Sequence, residues 1–131
     1  MTTLNEQQAR YFTEPNIGSF ATIRSDGSPH VTPVWVDWDG EHVLVNTAVG
    51  RAKEKHLRRD PRASIQIFDP QNPYEYIEVS GTVELTQDGA LDHANTLAKK
   101  YFGQDEYPLP AGEQRLLVKI RPERVQGSGA S

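Results

Sequence analysis

Alternating apolar and polar positions cover most of the chain and predict strands more often than helices. Asp-Gly pairs at 26–27 and 39–40 are typical of tight hairpin turns, where a positive φ is needed. The first three strands should therefore pair antiparallel in chain order. The six segments with strand character are "IGSFATI", "PHVTPVWVDW", "EHVLVNT", "RASIQIF", "YEYIEVSGTVELT" and "QRLLVKIRPERV".

Two residues interrupt the strand pattern in an informative way. Pro33 lies inside the second predicted strand, and proline cannot donate a ladder hydrogen bond. That strand should be an edge, bulged, or open to a ligand at Pro33. Gly81 lies in the middle of the fifth predicted strand and indicates a bulge or sharp bend, which helps a sheet to curl into a barrel.

Three segments have helical character. Residues 4–12 place apolar side chains on one face and must end before Pro15. Residues 50–60 are good helix formers that stop at Pro61, and residues 88–102 carry a continuous apolar stripe that ends at Gly103.

This order of elements predicts a mainly β fold, a six-stranded antiparallel split β-barrel with peripheral helices. At 131 residues the chain has room for about one domain. We expect a single domain over residues 1–131, with a lead-in helix within 1–13 and a flexible polar tail at 126–131.

Positive charge is concentrated in one segment of an acidic protein. The formal net charge is −4, yet residues 50–62 hold six basic and two acidic side chains, so this segment carries +4 and the rest −8. Proteins that bind duplex nucleic acid usually spread their excess cations more widely. The pattern favours a compact anion as ligand and no nucleic acid. The six cations are Arg51, Lys53, Lys55, Arg58, Arg59 and Arg62.

Several kinds of chemistry are disfavoured by what the sequence lacks. There is no cysteine, which excludes disulfides, thiol nucleophiles and thiolate metal sites. The four histidines do not have the spacing of metal ligands, and the serines do not have the pattern of a nucleophile elbow. The acidic residues at 37, 39 and 41 cluster around one predicted turn and are explained by the turn itself. No stretch approaches the roughly 18 apolar residues of a membrane span. We expect a cytoplasmic protein with no metal and no membrane partner.

The basic segment follows a strand and opens a helix. Free N–H groups and the helix dipole favour an anion at such a junction, and Arg51 and Lys53 would add charge and hydrogen bonds. Alternatively, Arg51, Lys55, Arg58 and Arg62 form one helical stripe, which is often only a solvated face. Cations in a first helical turn oppose the dipole, so their placement favours a function.

Three segments in this order resemble a known family. They are "IGSFATIRSDGSPHVTPVWVDWDGEHVLVNT", "GRAKEKHLRRDPRASIQIFD" and "YEYIEVSGTVEL". The chain is similar, over about residues 14–125, to the pyridoxamine 5′-phosphate oxidase-like split β-barrels, particularly the small reductases that use the deazaflavin coenzyme F420. The resemblance implies an obligate homodimer with cofactor sites at the interface and a small-molecule substrate.

The resemblance also implies which residues contact the cofactor. The second strand would lie against the tricyclic ring, the end of the third would flank the ring or ribityl chain, and the basic segment would hold the phosphate. His56 stands where some relatives have asparagine, and the tyrosines at 74 and 76 could come from the other subunit. The implied cofactor-binding residues are Val31, Thr32, Pro33, Val34, Asn46, Thr47, Arg51, Ala52, Lys53, His56, Arg58 and Tyr76.

The implied cofactor is F420, with flavin mononucleotide (FMN) as the alternative. F420 adds a phosphodiester and an anionic tail, which Lys55, Arg58 and Arg59 could bind. The implied reaction is hydride transfer from the reduced deazaflavin to an unsaturated or conjugated organic substrate, in which the protein supplies orientation and electrostatics. No residue is singled out as catalytic. The alternatives are an FMN oxidase or reductase, or a non-catalytic carrier of flavin, deazaflavin or haem.

Overall fold

The computed structural model describes residues 3–127, which form one curled antiparallel sheet with three helices against it. The helices are α1 (Glu6–Thr13), α2 (Ala52–Arg59) and α3 (Ala90–Phe102). The strands are β1 (Ile17–Ile23), β2 (Pro29–Trp35), β3 (Asp37–Trp38), β4 (Val43–Ala48), β5 (Arg62–Asp69), β6 (Asn72–Thr86) and β7 (Arg115–Gln126). The predicted tail begins at the last residue of β7, and its residues 128–131 lie outside the described part.

The strand order explains why the sheet curls. Neighbouring strands follow the order β2-β1-β5-β6-β7-β4-β3, so β2 and β3 lie at opposite ends of the sheet. In the chain, however, these two strands are separated by Val36 alone. The two ends of the sheet must therefore meet at Val36. The mainly β, antiparallel, curled fold is as predicted.

The predicted number of six strands is wrong, because the second predicted strand is two. Residues 29–35 pair with β1, whereas Asp37 and Trp38 pair with β4. The chain changes neighbours at Val36, which belongs to neither strand. The apolar alternation continues across this point without a glycine or proline, so it gives no sign of the break.

Polar side chains of α3 form hydrogen bonds with the backbone N–H and carbonyl of Val36, where the chain leaves the sheet. Its N–H donates to the Tyr101 hydroxyl at 2.9 Å, and its carbonyl accepts from Lys100 Nζ at 2.6 Å. Lys100 also donates to the Phe12 carbonyl, and the Tyr101 hydroxyl donates to the Asn16 carbonyl. A buried backbone group without a partner would be costly, so these contacts stabilise the crossing.

The predictions for Pro33 and Gly81 are both confirmed. Pro33 lies in β2, which is an end strand of the sheet. The register between β6 and β7 shifts at Ser80 and Gly81. A Cβ at Gly81 would lie 1.8 Å from the Arg121 carbonyl oxygen, so this close approach requires glycine.

The core lies inside the curled sheet. Alternate residues of the strands point inward and are fully buried, each worth about 1.5–3 kcal/mol of burial. Phe12 of α1 packs into this core. Leu97 of α3 is also fully buried. No helix among residues 3–127 has the length and apolar character needed to cross a bilayer. Fully buried strand residues include Phe20, Val43, Val45, Ile65, Ile67, Ile77, Val79, Val118 and Ile120.

Candidate functional site

A cleft of about 470 Å³ opens between β2, β4, the start of α2 and α3. Its volume is in the range of small-molecule sites, about 300–1,000 Å³. Six of the twelve residues proposed to bind a cofactor line it: Pro33, Val34, Asn46, Thr47, Arg51 and Lys53. The other lining residues are Ile17, Trp35, Ala94, Leu97, Tyr107 and Arg115.

The junction between β4 and α2 places the basic side chains in the cleft. After Ala48 the chain turns through Gly50, whose φ is +90°. Arg51 follows as the N-cap of α2, and its side chain makes no capping hydrogen bond. The first N–H groups of a helix have no partner within it. The helix start, Arg51 and Lys53 therefore present positive potential to the same cleft.

Lys53 is a half-buried cation in this cleft. Its ammonium group forms no ion pair or hydrogen bond with any residue in the range 3–127. Burial lowers the pKa of Lys53, and the nearby charge of Arg51 lowers it further. An anion bound beside Lys53 would favour its charged form and so offset both effects on the pKa.

Arg51 and Arg115 share one carboxylate, that of Glu113. Arg51 Nη2 lies 2.9 Å from Glu113 Oε1, and Arg115 Nη1 lies 3.2 Å from Glu113 Oε2. Arg115 is buried, and its guanidinium lies over the Tyr107 ring, 4.5 Å from the centroid. Its Nε donates to Asn46 Oδ1 at 2.8 Å. Arg115 is thus a third cation in the wall of the cleft, held by contacts to Glu113, Tyr107 and Asn46.

Sequence reasoning missed Arg115, Tyr107 and Glu113. They belong to β7 and the loop before it, far along the chain from the basic segment, and meet it because β4 pairs with β7. The one available signal was a charged residue opening the apolar run "RLLVKI". Trp35 also lines the cleft, where it stacks on Tyr101 at 5.1 Å between ring centroids.

The other proposed residues of β2 and α2 do not line the cleft. Val31 points outward and is 59% exposed. Thr32 Oγ1 is buried and has no hydrogen-bond partner among the described residues. Ala52 is exposed at the start of α2.

His56, Arg58 and Tyr76 make contacts elsewhere. His56 Nδ1 lies 2.9 Å from Thr22 Oγ1. Burial lowers the pKa of His56, and the neighbouring His30 ring and cations lower it further. Arg58 pairs with Glu54 at 3.1 Å along α2. Tyr76 is partly buried and lies in β6, opposite Phe68 of β5.

The basic segment was interpreted either as an anion site or as a solvated charged face, and each interpretation applies to a different part of it. Arg58 and Arg62 are in local ion pairs, with Glu54 and Asp60, as on an ordinary charged surface. Arg62 also opens β5, as expected from its place after Pro61. The geometry of an anion site is found instead at Lys53, at the start of α2.

The cleft suits an amphipathic anionic ligand. Pro33, Val34 and Leu97 offer an apolar side, whereas Lys53 and Arg115 offer a cationic one. No group of three histidine or carboxylate side chains within the described residues could hold a metal ion. Binding here would depend on charge, hydrogen bonds and apolar contact.

Comparison with known proteins places this geometry in a family. A solved F420 reductase shares 30% identity, with 94% of this chain and 98% of that chain covered and a TM-score of 0.82. A conserved hypothetical protein from Mycobacterium tuberculosis shares 25% identity over 93% and 82% of the chains, with a TM-score of 0.75. General Stress Protein 26 from Bacillus anthracis, 21% identical over 88% and 85% with a TM-score of 0.66, shares the fold.

The family model described as pyridoxamine 5′-phosphate oxidase matches residues 4–129, almost the whole chain. This span includes the two strands, the start of α2 and the buried Arg115 that form the cleft. The protein therefore belongs to the pyridoxamine 5′-phosphate oxidase family, with its flavin-related split β-barrel fold.

Proposed function

We propose that this protein is an F420-dependent oxidoreductase acting on an unsaturated or conjugated small molecule. The observation that carries the proposal is Lys53, a half-buried cation in a cleft that also holds Arg51 and the start of α2. No side chain in the described part of the chain is its counter-ion. When bound, a reduced deazaflavin supplies a hydride. The residues of the chain bind and orient the reactants.

Each side of the cleft would have its own task. Lys53 and Arg51 would hold the phosphate. A cation about 4 Å from a phosphate is worth roughly 4 kcal/mol at an effective dielectric near 20, before desolvation. The β2 segment around Pro33 and Val34 would lie against the ring, since proline leaves no ladder donor there. Asn46 and Thr47 would meet the ring or its side chain.

The choice of F420 is supported by the solved F420 reductase, whose similarity extends over almost the whole of both chains. The expected binding of an anionic tail by Lys55, Arg58 and Arg59 has less support at two of these residues. Arg58 pairs with Glu54, and Arg59 donates to the Ile23 carbonyl at 3.0 Å. Lys55 is exposed on α2. The contacts of Arg58 and Arg59 leave the cations at the start of α2 as the main site for a phosphate.

The contacts that Arg58 and Arg59 make within the protein favour FMN as the second candidate. FMN carries one phosphate monoester and needs no further cations beyond the cleft. In that case the protein would be an FMN-dependent oxidase or reductase. A carrier that binds either cofactor without turnover would need the same cleft.

A homodimer is part of the proposal. The registers of β1 with β2 and β5 place Ile17, Val31 and Phe68 on one face of the sheet, and all three are about half exposed or more. Tyr76 lies opposite Phe68 on the same face. A second copy packing here would cover this apolar surface. Light scattering should give a dimer for the wild type and a monomer for Val31→Asp, while Leu91→Asp on α3 should remain dimeric.

The cofactor test is a pair of fluorescence titrations on the purified protein. Micromolar binding of F420 with much weaker binding of FMN supports the first candidate, and the reverse supports the second. Turnover is then measured with reduced cofactor and a panel of conjugated carbonyls and quinones. Tight binding without turnover of any of them would favour the carrier. Absence of binding to both cofactors would contradict the proposal.

A further inference from the structure

A partly buried acid–histidine pair lies outside the lining of the cleft and is connected to it through Asn46. Asp37 Oδ2 is 3.1 Å from His93 Nε2, and the two side chains are 22% and 10% exposed. Burial opposes ionisation of Asp37. Hydrogen bonds from His93 and the Trp38 N–H, with the charge of Lys100, nevertheless hold its pKa below the usual range.

This pair is not the turn chemistry expected from the acidic residues at 37, 39 and 41. Asp39 does have that role, since its Oδ1 accepts from the N–H groups of Glu41 and His42. Asp37 instead reaches α3, 56 residues further along the chain. The contact therefore needs an explanation beyond local turn geometry.

His93 connects the pair to Asn46 in the cleft. Asp37 is ionised and can only accept, so His93 Nε2 carries the proton toward it. In the neutral ring Nδ1 is then an acceptor, and it lies 3.2 Å from Asn46 Nδ2. The same Nδ2 donates to the Ala90 carbonyl at 2.8 Å. Both Asn46 N–H groups are therefore used within the protein.

The oxygen of the Asn46 carboxamide points away from His93, toward Arg115 in the wall of the cleft. Asn46 Oδ1 accepts from Arg115 Nε at 2.8 Å. An amide oxygen has two lone pairs, so one remains for a ligand. In this arrangement Asn46 can accept a hydrogen bond in the cleft and cannot donate one.

We infer that His93, oriented by Asp37, is a positioning residue that makes Asn46 an acceptor in the cleft and holds Arg115 in place. The ligand group that meets Asn46 must then be an N–H or O–H donor, such as a ring imide or a sugar-chain hydroxyl. The ligand part of this inference rests on the proposed function. The orientation of Asn46 does not depend on it.

Two substitutions divide the roles of the two ring nitrogens. In His93→Asn the amide oxygen takes the place of Nδ1 and can still accept from Asn46, but the contact to Asp37 is lost. In His93→Gln the amide reaches the place of Nε2 and can donate to Asp37, but nothing accepts from Asn46. Glutamine is the better helix former of the two. A purely structural role for His93 therefore predicts that Gln is the milder change.

The first measurement needs no ligand. Side-chain ¹⁵N spectra of the purified protein should show slowly exchanging Asn46 Nδ2 and Arg115 Nε hydrogens in the wild type and in H93N. Both sets of signals should shift and exchange faster in H93Q. Spectra in which H93Q keeps these signals, or both variants lose them alike, would overturn the inference, whatever cofactor the protein uses.

The second measurement is F420 affinity by fluorescence titration, with thermal unfolding to confirm that both variants are folded. H93Q should bind about fivefold or more weakly, the size expected for one lost hydrogen bond, whereas H93N should stay within about twofold. Equal affinity of H93Q and wild type would contradict the inference that Asn46 accepts a hydrogen bond from the ligand. If the wild type itself does not bind, the proposed function fails, and the spectra still decide the orientation.

Discussion

The backbone N–H of Val36 donates to the hydroxyl of Tyr101 at 2.9 Å, across 65 positions of sequence. Val36 is the single residue at which the chain passes from one end of the sheet to the other. Its N–H has no strand partner, so the phenol takes the place of a ladder acceptor. Burial raises the pKa of Tyr101 to about 12, and the hydroxyl keeps its proton to donate to the Asn16 carbonyl.

We predict that Tyr101→Phe destabilises the protein by about 1–3 kcal/mol, because it leaves the buried Val36 N–H without an acceptor. The ring stack on Trp35 is retained, so the change in the free energy of unfolding reports the contribution of the hydroxyl alone. Chemical denaturation measures the change. Tyr74→Phe, at a side chain that is 87% exposed, is the control and should alter stability by less than about 0.5 kcal/mol. Equal effects of the two variants would mean that the crossing does not depend on this contact.

The free cation of the cleft gives a prediction about binding. Lys53→Ala should weaken cofactor affinity at least about tenfold, or 1.4 kcal/mol, since it removes a half-buried charge that has no partner among residues 3–127. The control is Lys99→Ala, which removes an exposed cation of α3 outside the basic segment. Fluorescence titration should give near wild-type affinity for that variant. Equal losses in both variants would indicate a general effect of net charge.

Glu113 competes with an anionic ligand for the same guanidinium groups. It contacts Arg51 and Arg115 and is only 11% exposed at its side chain. Glu113→Gln should therefore bind the phosphate-containing cofactor about threefold or more tightly, since one nearby negative charge is removed. The gain should shrink at high salt. Glu14→Gln, which breaks an exposed pair with Arg10, should leave affinity unchanged. Weaker binding by E113Q would show that Glu113 instead positions Arg51.

The lowered pKa of His56 makes stability depend on pH. Just below the ordinary histidine pKa of about 6.5, the unfolded chain binds a proton that the folded protein does not. The free energy of unfolding should therefore fall as the pH drops through this window. His56→Asn keeps an acceptor near Thr22 but cannot titrate, so its stability should fall less between about pH 7.5 and about pH 5. Denaturation curves at both pH values test this. Parallel losses in the two proteins would rule out His56 as the source.

Features of the fold that depend on neighbouring residues could be predicted from the sequence. Alternation located the strands, Asp-Gly pairs the hairpins, and Gly103 the end of α3, where its φ is +72°. The break at Val36 could not be predicted, because its cause is the meeting of two sheet ends and not a local residue. The basic segment at the start of α2 was recognised from its local concentration of charge. The contacts of Val34, Asn46 and Thr47 were implied by the family resemblance. Arg115 and His93 were missed, since their roles depend on strand register and helix packing across long separations.

Gly81 is the position where the register of β6 against β7 shifts, and it leaves no space for a side chain. Its φ is not positive, so the constraint is purely steric: an added Cβ would lie 1.8 Å from the Arg121 carbonyl oxygen. Gly81→Ala should force the two strands apart and cost more than about 4 kcal/mol, or prevent folding. Gly27→Ala provides the comparison, because that turn has open space around it and only the strain of a φ of +86°. Its cost should be about 1–2 kcal/mol. Denaturation midpoints, or the soluble yield if G81A does not fold, measure the difference. Similar behaviour of the two variants would mean that the strands can separate at the bulge without loss.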